Sequence, residues 1–179
     1  MSQIPTILLF IIVFALWAVA HSISASSRFK GAVRARIGAR SYDGTYRLLY
    51  NLVAAVTLLP VLIVGAMALP HRVLWQVERP FSVLFAGVQV LGVAGLFISL
   101  LQTDIMRFAG LGQFVRYLQG RPDVNPDPVL TTSGTYRLVR HPLYFFGLLL
   151  LWFAPTMTVS LLLFNIAATI YFWMGSGYE

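Results

Sequence analysis

All 19 charged side chains of this 179-residue chain are gathered into three short stretches and the final residue, leaving charge-free runs of 27, 24, 24 and 38 residues. A helix needs about 20 apolar residues to cross the roughly 30 Å hydrocarbon core of a bilayer. The runs Met1 to Ser27, Leu48 to His71 and Pro80 to Thr103 are therefore each long enough to cross once. The fourth, His141 to Tyr178, is too long, since a single helix of that length would extend roughly 57 Å. Pro155 interrupts it, and proline removes a backbone donor while disfavouring helix at the residue before it. The spacing predicts two helices joined by a tight turn at Ala154-Pro155-Thr156. A single tilted, Pro-kinked helix is the alternative, and it would put Glu179 on the opposite side of the bilayer.

Orientation follows from the basic residues. The stretch 28–47 holds Arg28, Lys30, Arg34, Arg36, Arg40 and Arg47, and the stretch 104–140 holds Arg107, Arg116, Arg121, Arg137 and Arg140, whereas only Arg72 and Arg79 lie between the second and third runs. The positive-inside rule makes the first two stretches cytoplasmic. The expected fold class is an all-α integral membrane protein of five transmembrane helices, the last two forming a Pro-turn helical hairpin. Its spans are about 5–26, 48–69, 80–102, 142–154 and 156–174, with cytoplasmic loops 27–47 and 103–141 in a single domain, 1–179. The N-terminus is expected outside and the C-terminus inside. A net charge of +7 then reflects loops that set topology and meet anionic lipid headgroups, not a nucleic-acid surface.

Residues 1–25 resemble a secretory signal in hydropathy, but no Lys or Arg precedes Arg28, so they are read as the first span. The chain has no cysteine, which excludes disulfides and thiolate metal sites, and His21, His71 and His141 fall in separate segments, so no metal site is expected. Trp17, Trp152, Trp173 and Tyr171 are read as interfacial anchors. His21 and Ser22 either line a polar cavity or sit among headgroups. Gly87, Gly92 and Gly95 read as close-packing positions between helices.

The informative stretch is Pro126 to Tyr144, PDPVLTTSGTYRLVRHPLY. Ser133 and Gly134 are turn formers, and Pro142 suits the first position of a helix, where its missing N–H costs nothing. A loop running into a helix start favours an anionic group, with Arg137, Arg140 and His141 as added donors. On physics alone, the two arginines are read first as a cytoplasmic border.

Gly134-x-Tyr136-xxx-Arg140-His141-Pro142-x-Tyr144, followed by an apolar Pro-turn hairpin and an acid, resembles the membrane methyltransferases that include isoprenylcysteine carboxyl methyltransferase. Three upstream features are similar to the bacterial methanethiol S-methyltransferase branch and, more loosely, to the NnrU-like proteins. They are His21-Ser22, Trp75-Gln76-Val77-Glu78 and Asp104-xxx-Phe108-x-Gly110-xx-Gln113.

The resemblance implies S-adenosylmethionine-dependent methyl transfer within a bacterial inner membrane, on the cytoplasmic side. Carried over by position, the cofactor would be held by Pro128, Val129, Leu130, Thr131, Tyr136, His141, Pro142, Leu143, Tyr144 and Glu179. Arg140 would orient the loop or cofactor, and Asp104 and His21 are candidates, with Arg107, for the base that a thiol acceptor needs. Tyr136 or Tyr144 is expected to face the sulfonium by a cation–π contact.

Two departures bear on the acceptor. Gly175 stands where the prenylcysteine enzymes place an arginine that meets the substrate carboxylate, which weakens a prenylcysteine acceptor. The family continues past the terminal acid, so either the chain is truncated after Glu179 or the cofactor pocket is incomplete. A small thiol is the expected acceptor, with isoprenylcysteine, a phospholipid amine or another lipophilic acceptor as alternatives. A non-enzymatic NnrU-like membrane accessory protein is the competing class.

Overall fold

The computed structural model describes residues 3–121 and 132–177. In chain order the elements are α1 (Ile4–Ala25), α2 (Ser27–Ile37), α3 (Ala39–Met67), β1 (Val73–Gln76), α4 (Phe81–Leu101), α5 (Ile105–Ala109) and α6 (Leu111–Leu118). They are followed by α7 (Thr135–Leu138), α8 (Pro142–Trp152), β2 (Thr156–Thr158) and α9 (Val159–Ser176). Among the described residues, α1, α3, α4 and α9 are long and apolar enough to cross a membrane, while α8 is a shorter apolar helix. The chain divides into two compact units.

The first unit comprises Met1–Ile11, Ile63–Gln102 and Thr131–Glu179. Its centre is the packing of α4 on α8. A Cβ at Gly92 would stand 3.0 Å from the backbone nitrogen of Leu150 and 3.1 Å from the carbonyl oxygen of Phe146, and one at Gly95 would enter the Phe146 ring. These two glycines therefore admit close helix approach, as their sequence context predicts. Gly87 does not: nothing lies within 4 Å of its added Cβ.

With 11 residues, α8 rises only about 16 Å. Its last carbonyls need partners because lipid offers none. Phe153 N–H donates to Leu149 O, Gln89 Nε2 to Leu150 O (2.9 Å) and Asn165 Nδ2 to Leu151 O (2.9 Å). Polar residues inside apolar helices thus end α8 within the protein.

Helices α8 and α9 form the expected hairpin. Tyr144 meets Phe172 near the open end, and Trp152 Nε1 donates to Thr169 Oγ1 nearer the turn, so the two helices run antiparallel. The turn itself departs from the expectation of an all-helical chain with a tight Ala154-Pro155-Thr156 corner. Thr156–Thr158 is extended and pairs antiparallel with β1, in the register Val73↔Thr158, Trp75↔Met157 and Gln76↔Thr156. Val77 N–H also donates to Pro155 O, and Val159 N–H to Arg72 O. Proline and the β-branched threonines resist helix here, and strand pairing supplies the backbone partners that a longer turn requires. Thr158 then caps α9 by accepting from Leu161 N–H.

The second unit comprises Ile12–Leu62 and Thr103–Leu130. The basic stretch after α1 is helical rather than irregular. Ser26 caps α2, Gly38 ends it at φ +81°, and α3 begins at once. Arg34 pairs with Asp43 at 3.1 Å. Gly110, at φ +86°, joins α5 to α6 and lies against the backbone of Arg47 and Leu48, where a Cβ has no room. Trp17, read as an interfacial anchor, donates Nε1–H to Ala54 O at 3.2 Å.

Candidate functional site

The motif loop enters the first unit through Gly134, whose φ of +60° and ψ of −126° lie in a region held essentially by glycine alone. The single turn of α7 follows, and Val139 returns to extended backbone before His141 leads into α8. Pro142 occupies the first helical position and is buried. His141 stands at the N-cap without a side-chain capping bond, so the opening turn of α8 is not closed by its own cap. Arg140 is exposed beside it, and His141, Leu143 and Tyr144 are half-buried.

Three rings converge where the two hairpin ends meet. His141 stacks on Tyr144 at 5.4 Å between centroids, and Tyr144 on Phe172 at 4.8 Å, within 6° of parallel. Gly175 completes the group: an added Cβ would lie 3.4 Å from the Tyr144 hydroxyl. Residues separated by about thirty positions in sequence are thereby brought together by hairpin closure. Tyr144 is thus stacked on both the His141 and the Phe172 rings. Burial raises the Tyr136 phenol above its usual pKa, which keeps it a neutral donor at physiological pH.

Of the sequence-derived cofactor residues, Tyr136, His141, Pro142, Leu143 and Tyr144 belong to this unit. Pro128, Val129, Leu130, Thr131 and Glu179 lie outside the described residues. Phe172 carried no signal in the sequence, where it is one of 13 phenylalanines in an apolar chain. Gln102 and Ser99, which hold the motif loop, were also unforeseen. The usable hint was a glutamine ending an apolar run.

His21 and Asp104 belong to the second unit, each within its own local arrangement. His21 lies between the rings of Trp17 (5.3 Å) and Tyr50 (4.9 Å), with Nε2 2.8 Å from the Tyr50 hydroxyl. The column continues through Tyr46 and Tyr42, over which Arg34 sits. This favours an ordered polar-aromatic setting over a headgroup position for His21. Asp104 caps α5 by accepting from Arg107 N–H at 3.0 Å. Gln113 Nε2 donates to Arg107 O, so the Asp104–Gln113 motif builds the α5–α6 corner. Among the described residues, no three His, Asp or Glu side chains group as metal ligands.

Residues 9–154 match the family described as NnrU protein. Methanethiol S-methyltransferase 1 of Bradyrhizobium diazoefficiens is 32% identical over 99% of this chain and 60% of its own length. The methanethiol S-methyltransferase of Pseudomonas deceptionensis is 31% identical over 94% of this chain and 62% of its own. The chain thus spans about 60% of the length of these curated relatives. No solved structure matches.

Proposed function

The chain belongs to the NnrU family, on the branch it shares with the methanethiol S-methyltransferases, and from that premise we propose that it is an integral membrane methyltransferase. Its methyl donor is S-adenosylmethionine, and its acceptor is a small thiol such as methanethiol or another lipophilic nucleophile. The observation that carries this reading is the closure of the α8–α9 hairpin, which assembles His141, Tyr144 and Phe172 four residues before the end of α9.

These residues fit the donor. The opening turn of α8, which His141 does not cap, together with the Arg140 guanidinium and the His141 ring, suits the amino-acid carboxylate. Tyr136 offers an aromatic face to a sulfonium, and Glu179 a carboxylate to an ammonium or to ribose hydroxyls. The resemblance adds Pro128 to Thr131 as donor-binding residues. When bound, S-adenosylmethionine supplies the electrophilic methyl carbon. The protein's part is to align the acceptor for in-line displacement and to exclude water. Arg140 orients the loop, and a thiol acceptor gives its proton to a base, for which Asp104 and His21 are the candidates.

In this reading α8 is a fifth, thin crossing. The N-terminus lies outside, the basic stretches face the cytoplasm, and the protein resides in a bacterial inner membrane. The family match is also compatible with a non-enzymatic accessory protein that keeps the fold, and donor binding separates the two. Calorimetry on the detergent-purified full-length protein is expected to show saturable S-adenosylmethionine binding, abolished by His141→Ala and by Tyr144→Phe combined with Glu179→Ala. Tight binding that survives those changes refutes the site, and no binding by the wild type favours the accessory role.

A further inference from the structure

The C-terminal end of α4 bears on the placement of the motif loop, an inference that rests on the donor site proposed above. Gln102 is the C-cap of α4, and its Oε1 accepts two hydrogen bonds from Thr135, one from the backbone N–H at 2.9 Å and one from the hydroxyl at 2.7 Å. Ser99, a turn earlier and fully buried, directs its hydroxyl to Thr135 Oγ1 at 3.0 Å. Thr135 is buried as well.

The first N–H groups of any helix lack intrahelical acceptors and are ordinarily served by the side chain of the N-cap residue. For α7 that residue is Gly134, which has none to offer. The N–H groups of Tyr136 and Arg137 bond to Ser133 O and Gly134 O, and the remaining first N–H, that of Thr135, is taken by a side chain from another helix. Gly134 in turn yields the space, because a Cβ on it would enter the Gln102 amide.

The consequence reaches past α7. Downstream, α8 rests on α4 through Gly92 and Gly95 and through the bond from Gln89 to Leu150 O. The chain is therefore tied to one helix at Thr135 and again at Phe146 and Leu150, and Tyr136, Arg140 and His141 lie between the ties. We propose that Gln102 is a positioning residue for the methyl-donor site: its amide oxygen caps α7 from outside and fixes where Tyr136 and the Arg140–His141 pair stand relative to the start of α8.

The test uses the full-length protein in lipid nanodiscs. Gln102→Leu removes the acceptor at similar volume, and Gln102→Glu keeps an acceptor oxygen in place. Calorimetry reads S-adenosylmethionine affinity, amide hydrogen exchange reads residues 132–141, and thermal unfolding reports the fold. With two hydrogen bonds lost, Gln102→Leu is expected to weaken affinity about tenfold or more and to speed exchange at Thr135. Its unfolding temperature should fall by several degrees while the variant stays folded at the assay temperature. Gln102→Glu is expected to restore both affinity and exchange, to within about threefold, because both donors keep their acceptor.

Wild-type affinity or wild-type exchange in Gln102→Leu overturns the proposal. Should Gln102→Leu fail to fold, Gln102→Glu decides alone, and loss of affinity in that folded variant is equally fatal. A wild type that binds no donor defeats the donor reading itself, and the positioning role falls with it. That outcome is recognisable because it appears before any variant is made.

Discussion

The three glycines of α4 offer a graded test of helix packing, because the same Gly→Ala change meets three different surroundings. At Gly87 the new methyl enters open space, so the change should stabilise by up to about 1 kcal/mol through helix propensity alone. At Gly92 it meets backbone atoms of α8 at 3.0 and 3.1 Å. Backbone cannot rotate away, and shifting α8 strains the Gln89 to Leu150 O bond. Overpacking of about 1–3 kcal/mol, with about 1 kcal/mol more if that bond is lost, exceeds the propensity gain, so Gly92→Ala should be net destabilising. At Gly95 the obstacle is the Phe146 ring, which can be removed. Gly95→Ala should therefore be destabilising alone, and less so on a Phe146→Ala background, with a coupling of about 1 kcal/mol or more. Unfolding by SDS titration in mixed micelles measures all five variants. If Gly87→Ala costs as much as Gly92→Ala, or if Gly95→Ala and Phe146→Ala are additive to within about 0.5 kcal/mol, the packing argument is refuted.

The Asp104 cap predicts that Asp104→Ala destabilises by about 0.5–2 kcal/mol while Asp104→Asn, an equally good cap, stays near the wild type. Methyl transfer that collapses in Asp104→Asn at unchanged stability would instead make the carboxylate a base. Because the chain has no cysteine, single substitutions report topology without background labelling. Ala35→Cys and Ser176→Cys should react with an impermeant maleimide only in inverted vesicles, and Gln76→Cys only in right-side-out cells. Labelling of Ser176→Cys from outside would sink the hairpin topology.

What was legible in the sequence depended on the length scale of the signal. The charge-free runs are solvent-partitioning signals summed over some twenty residues; α1, α4 and α9 fall largely within those runs, while α3 begins nine residues before its own, inside the basic stretch. Pro155 likewise marked the reversal between α8 and α9. The β1–β2 pairing was not legible, because it joins residues some eighty positions apart and all four β1 side chains are exposed, leaving no alternation to read. At the site, Gly134, His141, Pro142 and Tyr144 stood out because turn chemistry and a helix start are local. Gln102 and Phe172 act through partners on other helices; the place of Gln102 at the end of an apolar run is a faint hint, and nothing in the neighbourhood of Phe172 sets it apart. Asp104 shows a further limit: the resemblance singled it out as a candidate base, and only the structure adds that its carboxylate also accepts the Arg107 N–H at the start of α5.

The brevity of α8 links these observations. A helix of about 16 Å cannot satisfy its terminal carbonyls with water at both ends of a bilayer core of about 30 Å. In a protein that lacked internal partners, an early stop would leave several buried acceptors unpaired, at about 1–3 kcal/mol each. Gln89 and Asn165 remove that penalty, and the pairing of β1 with β2 serves the backbone beyond it. With the carbonyls of its far end served inside the protein, α8 can be short, and its start is held by packing on α4 and by the motif loop. Polar residues that look out of place in apolar helices are thus what lets this short helix end inside the protein, with its start and the aromatic cluster around it held by packing rather than by length.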